Sequence, residues 1–379
     1  MYLSALALKD FRSYEDLSLS FDPGVTIFIG SNGFGKTNII EAVCYLTTLS
    51  SHRVSTDGPL VRLGAGSAYL KGIIQSLGRT TTIELEINPS RANRGRINQN
   101  AQRSAREIIG HLRSVLFAPE DLSLVKGDPA ERRKFMDNLL VIRNPRYASI
   151  ISDYERVLKQ RNALLKSAAG MRKVDVSALS TLDVWDQQLI AIGSELIAAR
   201  LQLVKELIDP VVRNYASLAE GHEISLLYVS SIWPNKETSI PNNISEITVA
   251  FKAALEGVRK NEFERGITLV GPHRDELLLS IRGHLLKGYA SQGESWSYAL
   301  ALKLASYDLL RSDGVEPVLI LDDVFSELDT KRRDRLSKLI SANEQILITA
   351  AVPEDLPLEL DGRRIVISRE NNGNSSSSA

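Results

Sequence analysis

A short segment near the amino terminus has the composition of a phosphate-binding loop. Residues 30–37 read Gly-Ser-Asn-Gly-Phe-Gly-Lys-Thr, which matches the pattern Gly-x-x-x-x-Gly-Lys-Ser/Thr. Glycines let the backbone turn with its N–H groups pointing at phosphate oxygens, and a helix start adds partial positive charge. We therefore predict that Lys36 contacts the β- and γ-phosphates of a nucleotide and that the Thr37 hydroxyl coordinates Mg²⁺. The predicted nucleotide-binding residues of this loop are Gly30, Ser31, Asn32, Gly33, Phe34, Gly35, Lys36 and Thr37.

Two acidic residues follow an apolar run late in the chain. The run 318–321 is Val-Leu-Ile-Leu, and Asp322 and Asp323 come directly after it. Hydrolysis of a nucleotide also requires a carboxylate on the metal side of the phosphates. We predict that Asp322 holds Mg²⁺, directly or through water, and that Asp323 polarises the attacking water. With Lys36, these two residues are the candidate catalytic residues.

A third motif, Ser291-Gln292-Gly293-Glu294, stands before a predicted helix. A serine and a glycine at a helix start are ordinary capping residues. The same group is also suited to bind an anion. Because the chain already has one phosphate loop, we hypothesise that Ser291 and Gly293 meet a γ-phosphate held by another subunit.

The elements that must position these motifs are predominantly α/β. Residues 25–29 form a continuous β-branched and aromatic run, typical of a strand buried on both faces, and 36–49 have helical periodicity. Alternating patterns predict strands at 2–9 and 15–21 and two more within 67–87, and the polar stretch 88–106 predicts a loop or mobile hairpin. The last third predicts strands at 223–230, 275–281, 318–321, 345–350 and 364–368, and a helix at 295–311.

The middle of the chain has apolar residues spaced alternately by three and four positions. This spacing is typical of a heptad seam and predicts two helices that fold back as an antiparallel pair. Arg161 interrupts the first stripe, so two ordinary amphipathic helices of a bundle are an equal alternative. The second helix should end near Asp209-Pro210 or soon after. The two stripes are Tyr147, Ile151, Tyr154, Leu158, Leu165 and Trp185, Leu189, Ile192, Leu196, Ala199, Leu203.

Composition excludes several classes of protein. The chain has 379 residues, 43% of them hydrophobic, and a formal net charge of zero, so neither global disorder nor a strongly basic DNA-binding protein is indicated. A single cysteine, Cys44, excludes an internal disulfide and a CxxC zinc cluster, and fits a reducing cytoplasm. We expect no signal peptide, no membrane span and a disordered tail at 371–379.

Local charge is less even than the total. Residues 51–106 contain nine basic and three acidic residues, with Tyr69 as the only aromatic one. This pattern favours sequence-independent contact with DNA phosphates over stacking on single-stranded bases. A solvated basic loop is the alternative. The candidate DNA-binding residues are Arg53, Arg91, Arg94 and Arg96.

Taken in order, the motifs resemble those of ABC-type ATPases of the SMC class, and more closely the bacterial recombination mediators within that class. The resemblance spans nearly the whole chain. Beside the phosphate loop, it is carried by Phe11-Arg12-Ser13-Tyr14, Ser51-His52-Arg53, Phe117-Ala118-Pro119-Glu120-Asp121-Leu122, Gly127-Asp128-Pro129, Gly271-Pro272-His273-Arg274-Asp275 and Leu321-Asp322-Asp323-Val324-Phe325-Ser326-Glu327-Leu328-Asp329.

The resemblance implies an α/β ATPase head split by an inserted helical lobe, a stub of the coiled coil of SMC proteins. The head would comprise 1–120 and 296–370, and the lobe 121–295 would carry the signature motif at 291–294. Two heads would sandwich ATP, form a homodimer and clamp double-stranded or gapped DNA, and slow DNA-stimulated hydrolysis would open the clamp. Such proteins act with RecR and RecO to load the strand-exchange recombinase in repair and replication restart.

The resemblance also implies roles for single residues. Arg12 and Ser13 would approach the nucleotide, and Asp329 would lie in the loop that crosses the dimer interface. Glu120 and Asp121 take the approximate place of the Q-loop, and Thr349 the switch position. Glu294 departs from the Gln usual in relatives, so it either turns away from the partner's γ-phosphate or weakens dimerisation.

Two other functions fit part of the pattern. The ATP-binding subunit of a membrane transporter shares the phosphate loop and the signature, although its spacing between them is usually shorter than from Lys36 to Ser291. A nucleotide-binding scaffold without turnover is the other alternative. DNA-stimulated ATPase activity would separate the clamp from both.

Overall fold

The structure is a computed structural model that describes residues 1–169, 176–219, 222–233, 243–357 and 360–368. The chain divides into two compact units. Unit 1 contains Met1–Val125, Asp209–His222 and the residues from Ala290 onward, and unit 2 contains Lys126–Ile208 and Glu223–Tyr289. Unit 1, which holds the phosphate loop, is therefore assembled from distant stretches of chain. The predicted tail at 371–379 lies outside the described residues.

Each predicted strand is present to within a few residues, whereas the strands at Ser114–Phe117 and His284–Leu285 were not predicted. The stretch 88–106, predicted as a loop or hairpin, contains two short paired strands. In chain order the strands are β1 (Tyr2–Phe11), β2 (Tyr14–Ser20), β3 (Gly24–Ile29), β4 (Ala68–Ser76), β5 (Arg79–Ile87), β6 (Arg94–Ile97), β7 (Asn100–Ala101), β8 (Ser114–Phe117), β9 (Ile224–Val229), β10 (Glu276–Ile281), β11 (His284–Leu285), β12 (Val318–Asp322), β13 (Gln345–Ala350) and β14 (Arg363–Val366).

The helices are long in the middle of the chain and shorter around the phosphate loop. The segment α7 is a single turn interrupted at Gly288, which has a φ of 98°. In chain order the helices are α1 (Lys36–Thr48), α2 (Ser123–Lys126), α3 (Pro129–Arg143), α4 (Arg146–Ala168), α5 (Val176–Leu218), α6 (Ile244–Arg265), α7 (Leu286–Tyr289), α8 (Gln292–Ser312) and α9 (Thr330–Ile340).

Unit 1 contains a parallel sheet whose strand order is β14-β3-β13-β12-β8. All neighbouring pairs in this sheet are parallel. Its central strands are fully buried, as their continuous apolar sequences predict. The carboxyl ends of β3, β12 and β13 meet at one edge, and this edge carries the phosphate loop and the acidic pair.

A second sheet of unit 1 is antiparallel, in the order β2-β1-β4-β5-β6-β7. One hydrophobic core joins the two sheets through α1. It includes Ile39 and Val43 of α1, Leu6 and Leu70 of the antiparallel sheet, and Ile320 of the parallel sheet. Cys44 is buried in the same core, as its apolar surroundings predict. The first helix after the phosphate loop is thus held from both sides.

In unit 2 the antiparallel pairing of α4 and α5 is confirmed. Arg161 contacts Asp186, and Tyr154 lies beside Gly193, so positions earlier in α4 meet positions later in α5. Arg161 also pairs with Glu262 of α6. Because α4 faces two helices through the same buried side chain, the arrangement favours a bundle over an isolated two-helix seam.

The predicted seam is displaced on α4. The buried positions there are Ile150, Tyr154, Val157, Arg161 and Leu165, whereas the predicted Tyr147, Ile151 and Leu158 are partly exposed. The buried stripe differs from the predicted one because Arg161 is itself fully buried. In the sequence this residue interrupts the stripe, but in the structure its pairing with Asp186 and Glu262 makes its burial favourable. On α5 the predicted stripe is confirmed in part: Leu189, Leu196, Ala199 and Leu203 are buried, whereas Trp185 and Ile192 are partly exposed.

The end of α5 differs from the sequence-based expectation. The helix continues through Pro210 to Leu218 instead of ending near the proline. Proline removes one backbone hydrogen bond and strains the preceding turn, but burial of Val211 and Tyr215 offsets that cost. The rings of Tyr215 and Tyr298 lie 5.9 Å apart between centroids, within unit 1.

The borders between the two units also differ from the predicted borders of the inserted lobe, 121–295. The stretch Asp209–His222 and the residues from Ala290 onward belong to unit 1. The signature motif therefore lies in the same unit as the phosphate loop, and not in the inserted lobe. The reason is that α8, which follows the motif, is almost entirely buried in unit 1.

Candidate nucleotide-binding site

The phosphate loop leaves the carboxyl end of β3 and leads directly into α1. Gly33 and Gly35 have φ values of 85° and 101°, in the left-handed region that glycine adopts without strain. A Cβ atom on Gly30 would lie 2.3 Å from the backbone oxygen of Ile367. A Cβ atom on Gly35 would lie 2.7 Å from the hydroxyl of Tyr14. The tight backbone that a bound phosphate requires thus depends on glycine at these positions.

Lys36 is buried within this loop. Its Nζ donates a hydrogen bond of 2.6 Å to the backbone oxygen of Gly30, and lies 3.4 Å from Oδ1 of Asn32. The amine is therefore held at the turn whose N–H groups would surround a phosphate. This geometry fits the predicted contact with phosphate oxygens.

The structure brings Thr37 and Asp322 together although 285 positions separate them. Oγ1 of Thr37 donates to Oδ1 of Asp322 over 3.3 Å, and Oγ1 of Thr349 donates to the same oxygen over 2.6 Å. Parallel pairing of β12 and β13 sets Asp322 directly opposite Thr349. A carboxylate and a hydroxyl at this spot are oxygen ligands of the kind that Mg²⁺ prefers.

Burial raises the pKa of Asp322 to about 6. The hydrogen bond from Thr349 opposes this rise, and the nearby charges of Asp323 and Glu120 add to it. Three carboxylates thus repel one another at this edge of the sheet. A bound cation would relieve that repulsion.

Asp323 has a φ of 50°, which is unusual for a residue other than glycine. Its backbone N–H donates to Oγ1 of Thr349 over 2.9 Å, so this hydroxyl fixes both acidic residues. Its side chain is partly exposed, unlike that of Asp322. Thr349, placed at the switch position only by resemblance, is therefore the residue that orients the acidic pair.

Arg12 and Ser13 form the turn between β1 and β2 and lie against the start of α1. Ser13 Oγ accepts a hydrogen bond of 2.9 Å from Asn38, which follows Thr37. Nε of Arg12 donates to Glu41 over 2.7 Å. The turn is thus joined to the helix that begins at the phosphate loop, as the predicted approach of both residues to the nucleotide requires.

Glu41 is a functional candidate that the sequence-based reasoning missed. It is fully buried, and it pairs with Arg12 and, at 3.6 Å, with Arg53. Burial alone would raise the pKa of Glu41, but hydrogen bonds from Arg12 and Ser51 lower it below its ordinary value. The available signal was a single charged residue on the apolar face of α1.

Arg53 was predicted to bind DNA, but the structure places it in this cluster. Its NH1 donates to Oδ1 of Asn38 over 3.1 Å. The preceding residue, His52, has both ring nitrogens buried without a hydrogen-bond partner among the described residues. Arg53 thus belongs with Arg12 at the start of α1, and not with the arginines of the antiparallel sheet.

Glu120 and Asp121, at the approximate Q-loop position, have different surroundings. Asp121 accepts a hydrogen bond from the backbone of Ala118 over 2.9 Å and pairs with Lys303 at 3.0 Å. Glu120 is exposed, and its charge acts on Asp322. Of the two, Glu120 is the one placed to influence the metal side of the site.

The signature motif caps α8. Oγ of Ser291 accepts a hydrogen bond from the backbone of Glu294, and the Glu294 carboxylate accepts one of 2.7 Å from the backbone of Ser291. Nε2 of His222 lies 3.5 Å from the same carboxylate. Capping is therefore confirmed, and Glu294 is turned back toward its own helix start. The contact with a partner's γ-phosphate stays a prediction.

Gly293 and Asp329 meet through Arg332. A Cβ atom on Gly293 would lie 2.7 Å from NH2 of Arg332. Asp329 caps α9 by accepting the backbone N–H of Arg332 over 2.9 Å, and Nε of Arg332 donates to Ser297 over 2.9 Å. The signature and the predicted interface loop are thus neighbours in the folded unit.

Arg91, Arg94 and Arg96 are exposed at the edge of the antiparallel sheet. Arg91 pairs with Glu86 at 3.1 Å, and Arg94 lies 3.8 Å from the same carboxylate. Arg96 stands opposite Glu84 across β5 and β6. The acidic residues of β5 therefore neutralise part of the positive charge that the sequence count suggests.

The motif Gly271-Pro272-His273-Arg274-Asp275, which contributes to the family resemblance, is largely buried in unit 2. Asp275 is fully buried and accepts hydrogen bonds from Tyr228, Ser230 and Ser231. Nδ1 of His273 lies 2.7 Å from the hydroxyl of Tyr154. The motif is therefore part of a buried hydrogen-bond network of unit 2.

The described ranges contain neither a cluster of metal-binding side chains nor a helix that could cross a membrane. No cluster of three or more His, Cys, Asp or Glu side chains there could hold a metal ion. None of the helices formed by those residues is both long and apolar enough to span a membrane.

Comparison with known proteins agrees with the fold and the motifs. A family model described as the RecF/RecN/SMC N terminal domain matches residues 2–370. The DNA replication and repair protein RecF of Streptomyces avermitilis is 54% identical over 374 residues, which cover 97% of this chain and 98% of that relative. The chain belongs to the RecF family. RecF of Renibacterium salmoninarum is 49% identical over 391 residues, with 97% and 98% covered.

Solved structures of RecF have the same fold. Two of them, of the recombination mediator protein RecF in the RecFOR pathway, are named RecF-ATPrS and RecF-ATP. They match with TM-scores of 0.86 and 0.85 at 29% identity and cover 97% and 94% of this chain and 97% and 93% of theirs. An Smc head domain from Pyrococcus furiosus matches with a TM-score of 0.55 at 17% identity, covering 98% of this chain and 94% of its own, and so shares the fold. The expected ABC/SMC-type ATPase head is confirmed, and membership of the RecF family argues against a transporter subunit.

Proposed function

We propose that this chain is an ATP-dependent recombination mediator that binds DNA as a homodimer clamp. The observation that carries the proposal is the convergence of Lys36, Thr37 and Asp322 at one edge of the parallel sheet. RecF relatives named for DNA replication and repair, and structures named RecF-ATP, support the choice of ATP and of DNA.

The loop from Gly30 to Gly35 and Lys36 would hold the phosphates, and Thr37 and Asp322 would hold Mg²⁺. Bound together, ATP and Mg²⁺ supply a transferable phosphoryl group and the positive charge that stabilises its transfer. Thr349 keeps Asp322 in place through its hydroxyl. Arg12 and Ser13 would border the nucleotide on the side of the β1–β2 turn.

Asp323 would orient and polarise the attacking water, and its position directly after β12 supports this role. The Asp side chain is one methylene shorter than the Glu common at this position in ABC-type enzymes, so we expect slow hydrolysis. Slow turnover suits a switch that only needs to open the clamp. If the chain were a scaffold without turnover, Asp323→Asn would leave the rate of phosphate release unchanged.

Dimerisation would place Ser291 and Gly293 of one subunit on the ATP of the other. Both residues lie at the start of α8, where backbone N–H groups face an anion favourably. RecO and RecR are the proposed protein partners, because the RecF structures are assigned to the RecFOR pathway. Loading of the strand-exchange recombinase at gapped DNA would then be the outcome of the cycle.

DNA phosphates would contact the exposed arginines Arg91, Arg94 and Arg96. Replacing all three with Gln should lower DNA affinity and reduce the slope of its dependence on salt, by up to about 0.9 per lost phosphate contact. Pairing with Glu84 and Glu86 argues for a smaller change than this limit. An unchanged slope would place the DNA site elsewhere.

Sedimentation velocity with ATP and a gapped duplex tests the whole proposal. The wild type should shift from monomer to dimer with ATP, and the DNA should sediment with it as a complex that is faster than either the dimer or the DNA alone. Lys36→Ala should stay monomeric and leave the DNA free. DNA binding by a Lys36→Ala monomer, equal to that of the wild type, would contradict an ATP-gated clamp.

A further inference from the structure

Tyr14 has a hydroxyl group that the fold buries against the phosphate loop. Tyr14 begins β2, directly after the turn of Arg12 and Ser13, and is 1% exposed. Its hydroxyl oxygen lies where a Cβ atom of Gly35 would approach to 2.7 Å. The hydroxyl therefore touches the backbone of the last loop residue before Lys36.

This hydroxyl has no hydrogen-bond partner among the described residues. A buried hydroxyl without a partner loses its hydration and gains nothing in return, which costs about 1–3 kcal/mol. The carbonyl oxygens of Gly30, Ser31 and Gly35 already accept other donors, from Lys36, Phe34 and Asn38. Burial also raises the pKa of Tyr14, so the group is a neutral donor at physiological pH.

A phenylalanine would fill the same apolar space without this cost. Phe11, which pairs with Tyr14 across β1 and β2, shows that the neighbourhood accepts a plain aromatic ring. A hydroxyl retained at such a position indicates a state of the loop in which the group is satisfied.

We propose that Tyr14 is a positioning residue of the phosphate loop, whose hydroxyl donates a hydrogen bond to a backbone oxygen of that loop when a nucleotide is bound. The inference rests on the proposed binding of ATP. Gly33 and Gly35 have positive φ and lack a Cβ atom, so the backbone there can change conformation at little steric cost. In this proposal, phosphate binding turns the N–H groups of the loop toward the phosphate. The hydrogen bond from the Tyr14 hydroxyl then stabilises that conformation of the loop.

Tyr45 provides a matched control. It is also 1% exposed and lies on α1, but its hydroxyl donates to Oδ1 of Asp57 over 2.7 Å and accepts from Asn93 over 3.3 Å. Removing that hydroxyl breaks two hydrogen bonds that do not involve the phosphate loop. The two Tyr→Phe variants therefore delete the same atom from contrasting environments in one unit.

The experiment measures thermal unfolding without nucleotide, and calorimetric binding of ATP and ADP with Mg²⁺, for the wild type, Tyr14→Phe and Tyr45→Phe. For Tyr14→Phe we expect an unfolding midpoint that is equal to the wild type's or higher by about 1–3 °C. Its Kd for ATP and ADP should rise together, by roughly tenfold, because the bond is made to the loop and not to the γ-phosphate. Tyr45→Phe should lower the midpoint and leave both Kd values within about twofold.

Three results would overturn the inference. They are unchanged affinity in Tyr14→Phe, a fall of affinity together with a fall of the midpoint, and a loss of affinity for ATP alone. Failure of the wild type to bind either nucleotide would instead refute the proposed function. The two failures are therefore distinguishable in one set of titrations.

Discussion

Each unit of this protein contains a buried polar cluster, and the two clusters are built in opposite ways. In unit 2, Arg161 is fully buried, but it donates to Asp186, Glu262 and Thr268 over 2.6–2.8 Å. In unit 1, burial and the neighbouring carboxylates raise the pKa of Asp322. The hydroxyl of Tyr14, which lies against Gly35 of the phosphate loop, has no hydrogen-bond partner among the described residues.

The difference separates polar groups that stabilise the fold from those that await a ligand. A buried charge that is fully paired is expensive to disrupt, because removal of one partner strands the others. A buried charge that is repelled or unpaired weakens the fold until something binds it. On this comparison, substitution of Arg161 in unit 2 should lower stability, whereas substitution of Asp322 or Tyr14 in unit 1 should preserve or raise it.

Arg161→Met gives the largest expected effect. It leaves Glu262 buried without its cation and leaves Asp186 with only Arg259, at 3.5 Å. The free energy of unfolding should therefore fall by about 3–5 kcal/mol. Urea denaturation followed by circular dichroism measures this change. Arg156→Met on the same helix is the control, since its pair with Asp153 is exposed and should contribute less than about 1 kcal/mol. If both variants lowered the free energy of unfolding equally, the buried pairs of Arg161 would contribute no more to stability than an exposed pair.

Asp322→Asn should act in the other direction on stability. Since the pKa of Asp322 is raised to about 6, ionising this carboxyl at pH 7 costs more free energy in the folded protein than in the unfolded chain. Asparagine removes that cost, so stability without Mg²⁺ and nucleotide should rise by about 1–3 kcal/mol. Phosphate release should fall at least about a hundredfold.

The gain in stability from Asp322→Asn should vanish at pH 4, where the wild-type carboxyl is protonated in the folded state. Denaturation curves at both pH values check this sign. A variant less stable than the wild type at pH 7 would show that Asp322, like Arg161, stabilises the fold.

Lowering the pH should weaken unit 2 through His273. Burial lowers its pKa to about 4, and nearby Arg274, Arg133 and Arg161 contribute to the shift. The unfolded chain has the ordinary pKa of about 6.5. The stability from neutral His273 is therefore present above pH 6.5 and lost as the pH falls toward 4, which amounts to about 2 kcal/mol between pH 7 and pH 5.

Urea denaturation at the two pH values measures this loss for the wild type and for His273→Gln. The variant should start less stable at pH 7 but lose about 2 kcal/mol less on acidification. An identical pH dependence of stability in both proteins would show that His273 does not cause the loss.

Glu294→Gln should have the smallest effect. Glutamine completes the same capping box with Ser291, and the carboxylate already faces its own helix start. The dimer dissociation constant with a non-hydrolysable ATP analogue should change by less than about twofold, since this exchange preserves the capping hydrogen bond. A large gain in dimerisation would show that Glu294 repels the partner's γ-phosphate.

Motifs whose chemistry is local could be read from the sequence. The phosphate loop, the strand before it and the acidic pair after 318–321 all have the predicted structure, because backbone conformation and apolar runs fix them over a few residues. The pairing of Thr37 with Asp322 followed from the requirements of a metal site.

Features that depend on distant contacts could not be read in this way. Arg53 and Glu41 join because two loops and α1 meet, and no spacing in the sequence encodes that meeting. Arg161 appeared to interrupt a helix seam, since only Asp186 and Glu262 make its burial favourable. The continuation of α5 past Pro210 likewise depends on burial of Tyr215 within unit 1, beside Tyr298.

The most direct test of the central claim, that the unit 1 cluster is a nucleotide site, is the thermal stability of the wild type and Lys36→Ala with and without Mg²⁺ and ATP. Without nucleotide the two proteins should unfold at nearly the same temperature. ATP at a hundred times its Kd should stabilise the wild type by about 2.7 kcal/mol and should leave Lys36→Ala unshifted. An equal shift in both proteins would contradict the claim.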